Sequence, residues 1–230
     1  MKHTQEYDAF QTTKGKVCFY LAIVVLLVFA LLPFVFTLSA SFQREYAIKA
    51  GQTTLIPTEV TIGNYQQLLT NKEGGLQAFP LYIANSIKVA VGTCLLSLVV
   101  SVFAAYALAR FRFPGREAIA RIMLFLYVFP TILAIYPVYT ILAQFNLINT
   151  HLGLILVHTT LVAPFCAWFL RTFFSTIPLE IEEAATVDGA SRLRIIRSII
   201  LPLSAPGMLA AGMYALIYSW GGIYVRLYSD

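Results

Sequence analysis

Residues 122–170 read IMLFLYVFPTILAIYPVYTILAQFNLINTHLGLILVHTTLVAPFCAWFL and contain no Lys, Arg, Asp or Glu. A helix needs about 20 apolar residues to cross a bilayer core, so this stretch has room for two spans. The run Gln144-Phe145-Asn146-Leu147-Ile148-Asn149-Thr150-His151 divides them. Working outward, residues 17–43, 89–109 and 198–225 are also free of charge, and each has room for one span. The 230 residues are 59% hydrophobic and 12% charged, with a mean hydropathy of +0.76. Soluble domains average about a quarter charged residues, so this chain has too little charge to clothe a globule in water. The expected fold class is all-α: a polytopic transmembrane helical bundle forming one membrane domain over residues 1–230. Its five spans lie near 17–39, 87–109, 122–143, 152–171 and 205–225.

Lys14 and Lys16 precede the first span, and Ser39-Ala40-Ser41 loosely resembles a cleavage site. The apolar core nevertheless exceeds the roughly 7–15 residues of a signal peptide, so an uncleaved span is expected. The net charge of +5 resides in the loops, where membrane topology explains it without invoking nucleic acid. Cys18, Cys94 and Cys166 all fall inside spans without metal-ligand spacing. They are expected to be buried small apolar residues.

Basic residues gather in short cytoplasmic loops. Lys2, Lys14 and Lys16 lie before the first span; Arg110, Arg112, Arg116 and Arg121 follow the second; Arg171, Arg192, Arg194 and Arg197 follow the fourth. The opposite side carries Arg44, Lys49, Lys72 and Lys88. The bias predicts a cytoplasmic amino terminus and an external 40–86 connector, with turns at Ile62-Gly63-Asn64 and Lys72-Glu73-Gly74-Gly75.

Between the fourth and fifth spans, residues 175–204 are too polar to cross and too patterned for a linker. Thr176 is expected to cap a helix with Pro178 near its first turn, followed by Glu180, Glu182 and Glu183 near the positive end of its dipole. Asp188-Gly189 is expected to break it, the Asp side chain closing a turn and Gly accepting positive φ. A second helix over about 190–200 would set Arg192, Arg194 and Arg197 on one side and Leu193, Ile196 and Ile200 on the other. Two short helices with a sharp turn make a projecting knob, and Ala184 and Ala185 on its face permit close approach by another protein.

Glu183-Ala184-Ala185, then Gly189 after three intervening residues, and Ile199-Ile200-Leu201-Pro202 after nine more resemble the EAA–Gly–I-x-L-P signature of permease subunits of bacterial ABC importers. The extended form E-A-A-x-x-D-G-A-S, which includes Asp188, is present too. Glu and Ala alone are common in helices; the full spacing on a cytoplasmic loop is specific. An ordinary amphipathic interfacial hairpin is the bland alternative. The resemblance implies a type I importer fold. It also implies a coupling loop (Glu183, Ala184, Ala185, Asp188, Gly189, Ile199, Leu201, Pro202) that docks into the ATP-binding subunit and transmits its closure to the pore.

Asn64-Tyr65, Asn85-Ser86, the run Ala105-Tyr106-Ala107-Leu108-Ala109-Arg110-Phe111, Phe113-Pro114-Gly115-Arg116 and Ile177-Pro178 look like the second permease of carbohydrate importers, the MalG-like group. That resemblance implies import of a sugar, oligosaccharide or glycerol-phosphate-type solute across a bacterial plasma membrane. The implied partners are a second permease, two ATP-binding subunits and an external solute-binding protein. No phosphate-binding G-x-x-x-x-G-K-[ST] loop occurs, and Gly15-Lys16 lacks the upstream glycine. ATP is therefore expected to be hydrolysed on another polypeptide, leaving this chain without cofactor, metal or enzymatic activity of its own. His3, His151 and His158 are scattered, so surface or helix-packing roles are expected.

Spans three and four carry Tyr127, Phe129, Pro130, Tyr136, Pro137, Tyr139, Phe165 and Trp168. Aromatic faces suit sugar rings, which makes Tyr127, Tyr136, Phe165 and Trp168 candidate substrate-path residues, although packing is the commoner role. An ion-coupled secondary transporter is the competing reading. Such proteins place ionisable residues inside spans, whereas here only Lys88 and Arg171 approach a membrane edge. A membrane-embedded enzyme would need clustered His, Asp or Glu, and none is clustered.

Members of the resembled family continue through a sixth span, whereas this chain stops at Asp230. Under one codon choice, removing one G from the run encoding Gly221-Gly222 turns the tail into Gly-Glu-Tyr-Met-Tyr-Ala-Ser-Ile-Leu, which restores the family pattern. A frameshift giving a foreign tail from about Gly222, and hence a missing last span, is the expectation. A naturally short subunit and a boundary of the cloned segment stay open.

Overall fold

The computed structural model describes residues 13–57, 59–70 and 79–221, which form helices and loops, with no strand among them. The expected Lys72–Gly75 turn and the tail from Gly222 lie outside the described residues. Two compact units are present, residues 1–81 and 82–230.

In the first unit, α1 (Thr13–Ser41) has 29 residues and none buried. At about 1.5 Å per residue it outreaches a hydrocarbon core of roughly 30 Å. Pro33 lies inside it, removing one backbone donor, and the Thr37 hydroxyl donates to the Pro33 carbonyl at 2.8 Å. Cys18 on this helix is exposed, contrary to the expected burial, because every face of α1 is uncovered. The connector is less open than a solvated loop. It contains α2 (Glu45–Lys49) and α3 (Gly63–Thr70), and the turn expected at Ile62-Gly63-Asn64 is where α3 begins. Buried Gln43 clips it: its Nε2 donates to the Thr54 carbonyl at 2.6 Å, and Thr54 N donates back to Oε1 at 3.2 Å. Asn64 Nδ2 donates to the carbonyls of Ser41 and Gln43 at 2.9 and 2.8 Å. Asn64 of the Asn64-Tyr65 pair is thus a structural clasp.

The second unit is built on α4 (Phe79–Arg110) and α7 (His151–Thr176), both long and apolar enough to cross a membrane, as is α1. A bent pair, residues 192–203 with 205–221, would supply a fourth crossing. The expected third span, 122–143, is not one helix. The chain forms α5 (Arg116–Val128), a 3-10 turn at Thr131–Ala134, and α6 (Ile135–Gln144). Pro130 is the cause: the residue before a proline is pushed out of the helical region, and Phe129 sits at φ −65°, ψ 132°. The 13 residues of α5 reach about 20 Å, so α5 by itself is shorter than the hydrocarbon core. The turn after α6 is closed by Asn146 and Asn149 at φ 54° and 56°, a conformation asparagine tolerates. Thr150 caps α7 by accepting from Gly153 N at 3.0 Å.

Then come α8 (Leu179–Val187), α9 (Arg192–Ile195), a π-helical turn (Ile196–Ile200), α10 (Leu201–Leu203) and α11 (Ala205–Gly221). Pro202 cannot donate to the turn below it, and the wide π turn immediately precedes it. The axis then bends by 83° around buried Ser204.

The core joins Val102, Ala105 and Tyr106 of α4 to Val162, Cys166, Leu170 and Phe174 of α7, and both to Ile195, Ile196, Ile200, Ala211 and Ala215. Small residues bring the backbones together, as membrane helices require. A Cβ on Gly207 would meet the Phe173 ring at 2.6 Å, and one on Gly92 would meet Ile155 Cδ1 at 2.5 Å. Two buried polar groups make inter-helix contacts. Ser101 Oγ donates to the Ala163 carbonyl at 3.1 Å, and His158 Nδ1 lies 2.9 Å from Ser219 Oγ. Helix packing is thus the role of His158, one of the two roles expected for it.

Candidate functional site

The 175–204 segment begins differently from the expected cap. Thr176 is the last residue of α7, and its hydroxyl donates back to the Phe173 carbonyl at 2.7 Å. Pro178 occupies the N-cap of α8 with no side-chain cap bond. Thr176 is still inside α7, two residues before the position that begins α8, so its hydroxyl does not cap the second helix.

The end of α8 is closed by backbone. Ala190 N donates to the Ala185 carbonyl at 2.9 Å, and Gly189 N to the Thr186 carbonyl at 3.0 Å, the paired bonds of a Schellman ending. Gly189 takes φ +80°, the positive value expected of it. Ser191 then caps α9, accepting from Arg194 N.

What holds this knob to the bundle is Glu182, which is only 1% exposed. The Tyr106 hydroxyl donates to its Oε2 at 2.9 Å, and Arg110 Nε donates to Oε1. Arg110 Nη2 also donates to the Ile177 carbonyl at 3.0 Å. Tyr106 and Arg110 are four residues apart on α4 and so share a face; both meet one carboxylate on α8. Isolated buried charges are prohibitively costly, and this one is paired and fully hydrogen-bonded. Along the sequence nothing distinguishes Glu182 from Glu180 and Glu183 near the positive end of the helix dipole. The available signal was Arg110 at the very end of a span, a cation needing an acceptor.

With Glu182 turned inward, Glu183, Ala184, Asp188 and Gly189 are left exposed and Ala185 half-buried. Exposed Ile181, Val187 and Leu193 border them. The expected apolar side of the second helix is corrected at one position: Leu193 is exposed and Ile195 buried, together with Ile196 and Ile200. Leu193 lies in the first turn after Ser191 and overhangs the packed face. Ile199 and Leu201 are half-buried against the core, while Pro202 is exposed.

Three of the four aromatic candidates converge. Phe165 stands 4.8 Å from Tyr127 and 6.3 Å from Trp168, ring centre to ring centre. Tyr214 of α11, not singled out from sequence, approaches Phe165 at 4.5 Å and Tyr127 at 6.3 Å. Tyr214 and Tyr218 at helical spacing were its signal. Tyr136 lies on α6, 79% exposed. Among the described residues no group of three His, Cys, Asp or Glu is placed to hold a metal.

Known proteins match this arrangement. The chain is 34% identical over 213 residues to the sulfoquinovosyl glycerol transport system permease protein of Agrobacterium fabrum, covering 93% of this chain and 73% of the relative. It is 34% identical over 199 residues to the trehalose transport system permease protein of Mycobacterium tuberculosis, covering 86% and 70%. A crystal structure of a bacterial ABC transporter that imports the acidic polysaccharide alginate superposes with a TM-score of 0.75 at 25% identity, over 95% of this chain and 76% of that one. The family described as binding-protein-dependent transport system inner membrane component matches residues 97–228. Those residues hold both the Tyr106–Arg110–Glu182 anchor and the exposed Glu183–Gly189 surface, and the chain belongs to that family of inner-membrane transport subunits.

Proposed function

We propose that this chain is the permease subunit of an ATP-driven importer of a sugar or glycoside, contributing half of the translocation path and coupling it to a separate ATP-binding subunit through residues 179–203. The observation that carries the reading is the division of labour between two adjacent glutamates. Glu182 is buried against Tyr106 and Arg110, and Glu183 is exposed beside Ala184 and Val187. A docking element needs one side fixed to the bundle and another open to a partner. The Glu182 anchor ties α8 directly to the end of α4, so displacement of the knob would be felt along a spanning helix. The sugar class is supported by the trehalose and sulfoquinovosyl glycerol permeases among the relatives and by the Tyr127–Phe165–Tyr214 aromatic group. The knob faces the cytoplasm in this reading, with the amino terminus on the same side; the bias of Arg and Lys supports that orientation. A second permease, ATP-binding subunits and an external solute-binding protein complete the assembly.

The test is reconstitution with the cognate subunits. Ala184→Trp places bulk on an exposed surface, so the chain should insert normally yet lose the ATP-binding subunit on co-purification. Solute uptake into proteoliposomes should require internal ATP. Uptake that persists without ATP and follows a proton or sodium gradient would instead favour an ion-coupled carrier.

A further inference from the structure

We propose that the cleft at the α4–α5 turn is a binding site for the headgroup of an anionic phospholipid. Arg112, Phe113, Pro114, Gly115, Arg116 and Arg121 line an open, shallow cleft of about 610 Å³. One carboxylate serves this basic group: Glu117 Oε1 accepts from Arg116 Nη2 at 3.0 Å and from Arg171 Nη2. Arg171 and then Arg116 hold the Glu117 carboxyl below its ordinary pKa through their hydrogen bonds to it. Arg112 and Arg121 have no carboxylate partner among the described residues. Three guanidinium groups therefore line a cleft that holds one negative charge, itself already shared.

Position selects a lipid over a soluble anion. The charge-free stretch 89–109 ends at Arg110, so Arg112 stands just beyond the hydrocarbon, at headgroup depth. Phe111, Phe113, Ile119 and Ile122 around the cleft are all exposed. Guanidinium groups bind phosphate oxygens in a planar fork, and these apolar side chains would lie along the acyl chains. Basic residues that merely orient a membrane protein need no cleft and no apolar border.

The experiment uses the full chain in detergent, stripped of lipid and titrated with phosphatidylglycerol or phosphatidylcholine, with bound lipid counted by native mass spectrometry. Phosphatidylglycerol should bind at least about tenfold tighter than phosphatidylcholine, as a few basic side chains near an anionic headgroup provide. Replacing two exposed arginines, R112Q with R121Q, should weaken phosphatidylglycerol roughly twenty-fivefold at about fivefold per residue, with phosphatidylcholine unchanged. E117Q should strengthen it. Circular dichroism checks that the variants keep their helix content. Absence of a phosphatidylglycerol preference would overturn the proposal. So would full displacement of the lipid by millimolar inorganic phosphate. Lipid binding unaltered in R112Q/R121Q while the ATP-binding subunit is lost would overturn it too, and assign the arginines to a protein partner.

Discussion

Arg110 and Glu182, 72 residues apart in sequence, form an ion pair in which both side chains are buried, 8% and 1% exposed. The pair joins the end of the longest helix to the element that carries the exposed Glu183–Gly189 surface. Removing one partner of a buried pair strands the other charge and costs about 3–5 kcal/mol. Arg110→Ala should therefore lower thermal stability in detergent and reduce membrane yield. The double variant Arg110→Met with Glu182→Met should recover most of the loss, because well-packed apolar replacements of buried pairs are often neutral. Stability without coupling is the diagnostic result for the double variant: folded protein with reduced solute uptake. Full uptake would argue that the pair is only structural.

Gly189 tests the turn. A Cβ there meets nothing within 4 Å, yet φ is +80°, so any penalty is conformational. Gly189→Val should cost roughly 1–2 kcal/mol in the turn, while Gly189→Asn should be milder, since Asn tolerates positive φ. Both should insert in the membrane. Co-purification of the ATP-binding subunit should fall in the order Gly, Asn, Val, and equal recovery of all three would contradict the docking role.

Gly153 poses the opposite case. Its φ is not positive, but an added Cβ would lie 2.2 Å from the Leu147 carbonyl oxygen, a backbone atom that cannot rotate away. Gly153→Ala should destabilise the turn between α6 and α7 by about 1–3 kcal/mol, as overpacking does. A thermal-shift measurement beside Gly189→Ala separates the two mechanisms: crowding at 153, backbone strain at 189.

Orientation is open to direct measurement. In a background with Cys18, Cys94 and Cys166 replaced, cysteines at exposed Gln52 and exposed Asp188 should label from opposite sides with an impermeant thiol reagent. Asp188→Cys should react only after the membrane is permeabilised. Labelling of Asp188→Cys in intact cells would invert the topology.

Membrane residence, helical class and family membership were legible in the chain because they depend on local composition and spacing. Long charge-free runs leave a backbone no option but internal hydrogen bonds. The Glu183-to-Pro202 spacing carries the family resemblance, and the need for positive φ at Gly189 follows from one residue and its neighbours. Three further things came from the structure, the last of them from tertiary contacts alone. Residues 122–143 form two helices joined by a 3-10 turn rather than one continuous helix, because Pro130 interrupts the run. Thr176 has the chemistry of a cap but is the last residue of α7, two residues short of the α8 N-cap at Pro178. Above all, Glu182 and Glu183 are adjacent and chemically identical; one is an anchor and the other a surface only because α4 presents Tyr106 and Arg110 to a single face of α8. Composition and spacing act along the chain. Which of two like residues is buried depends on what arrives from 72 positions away, and no local pattern contains that.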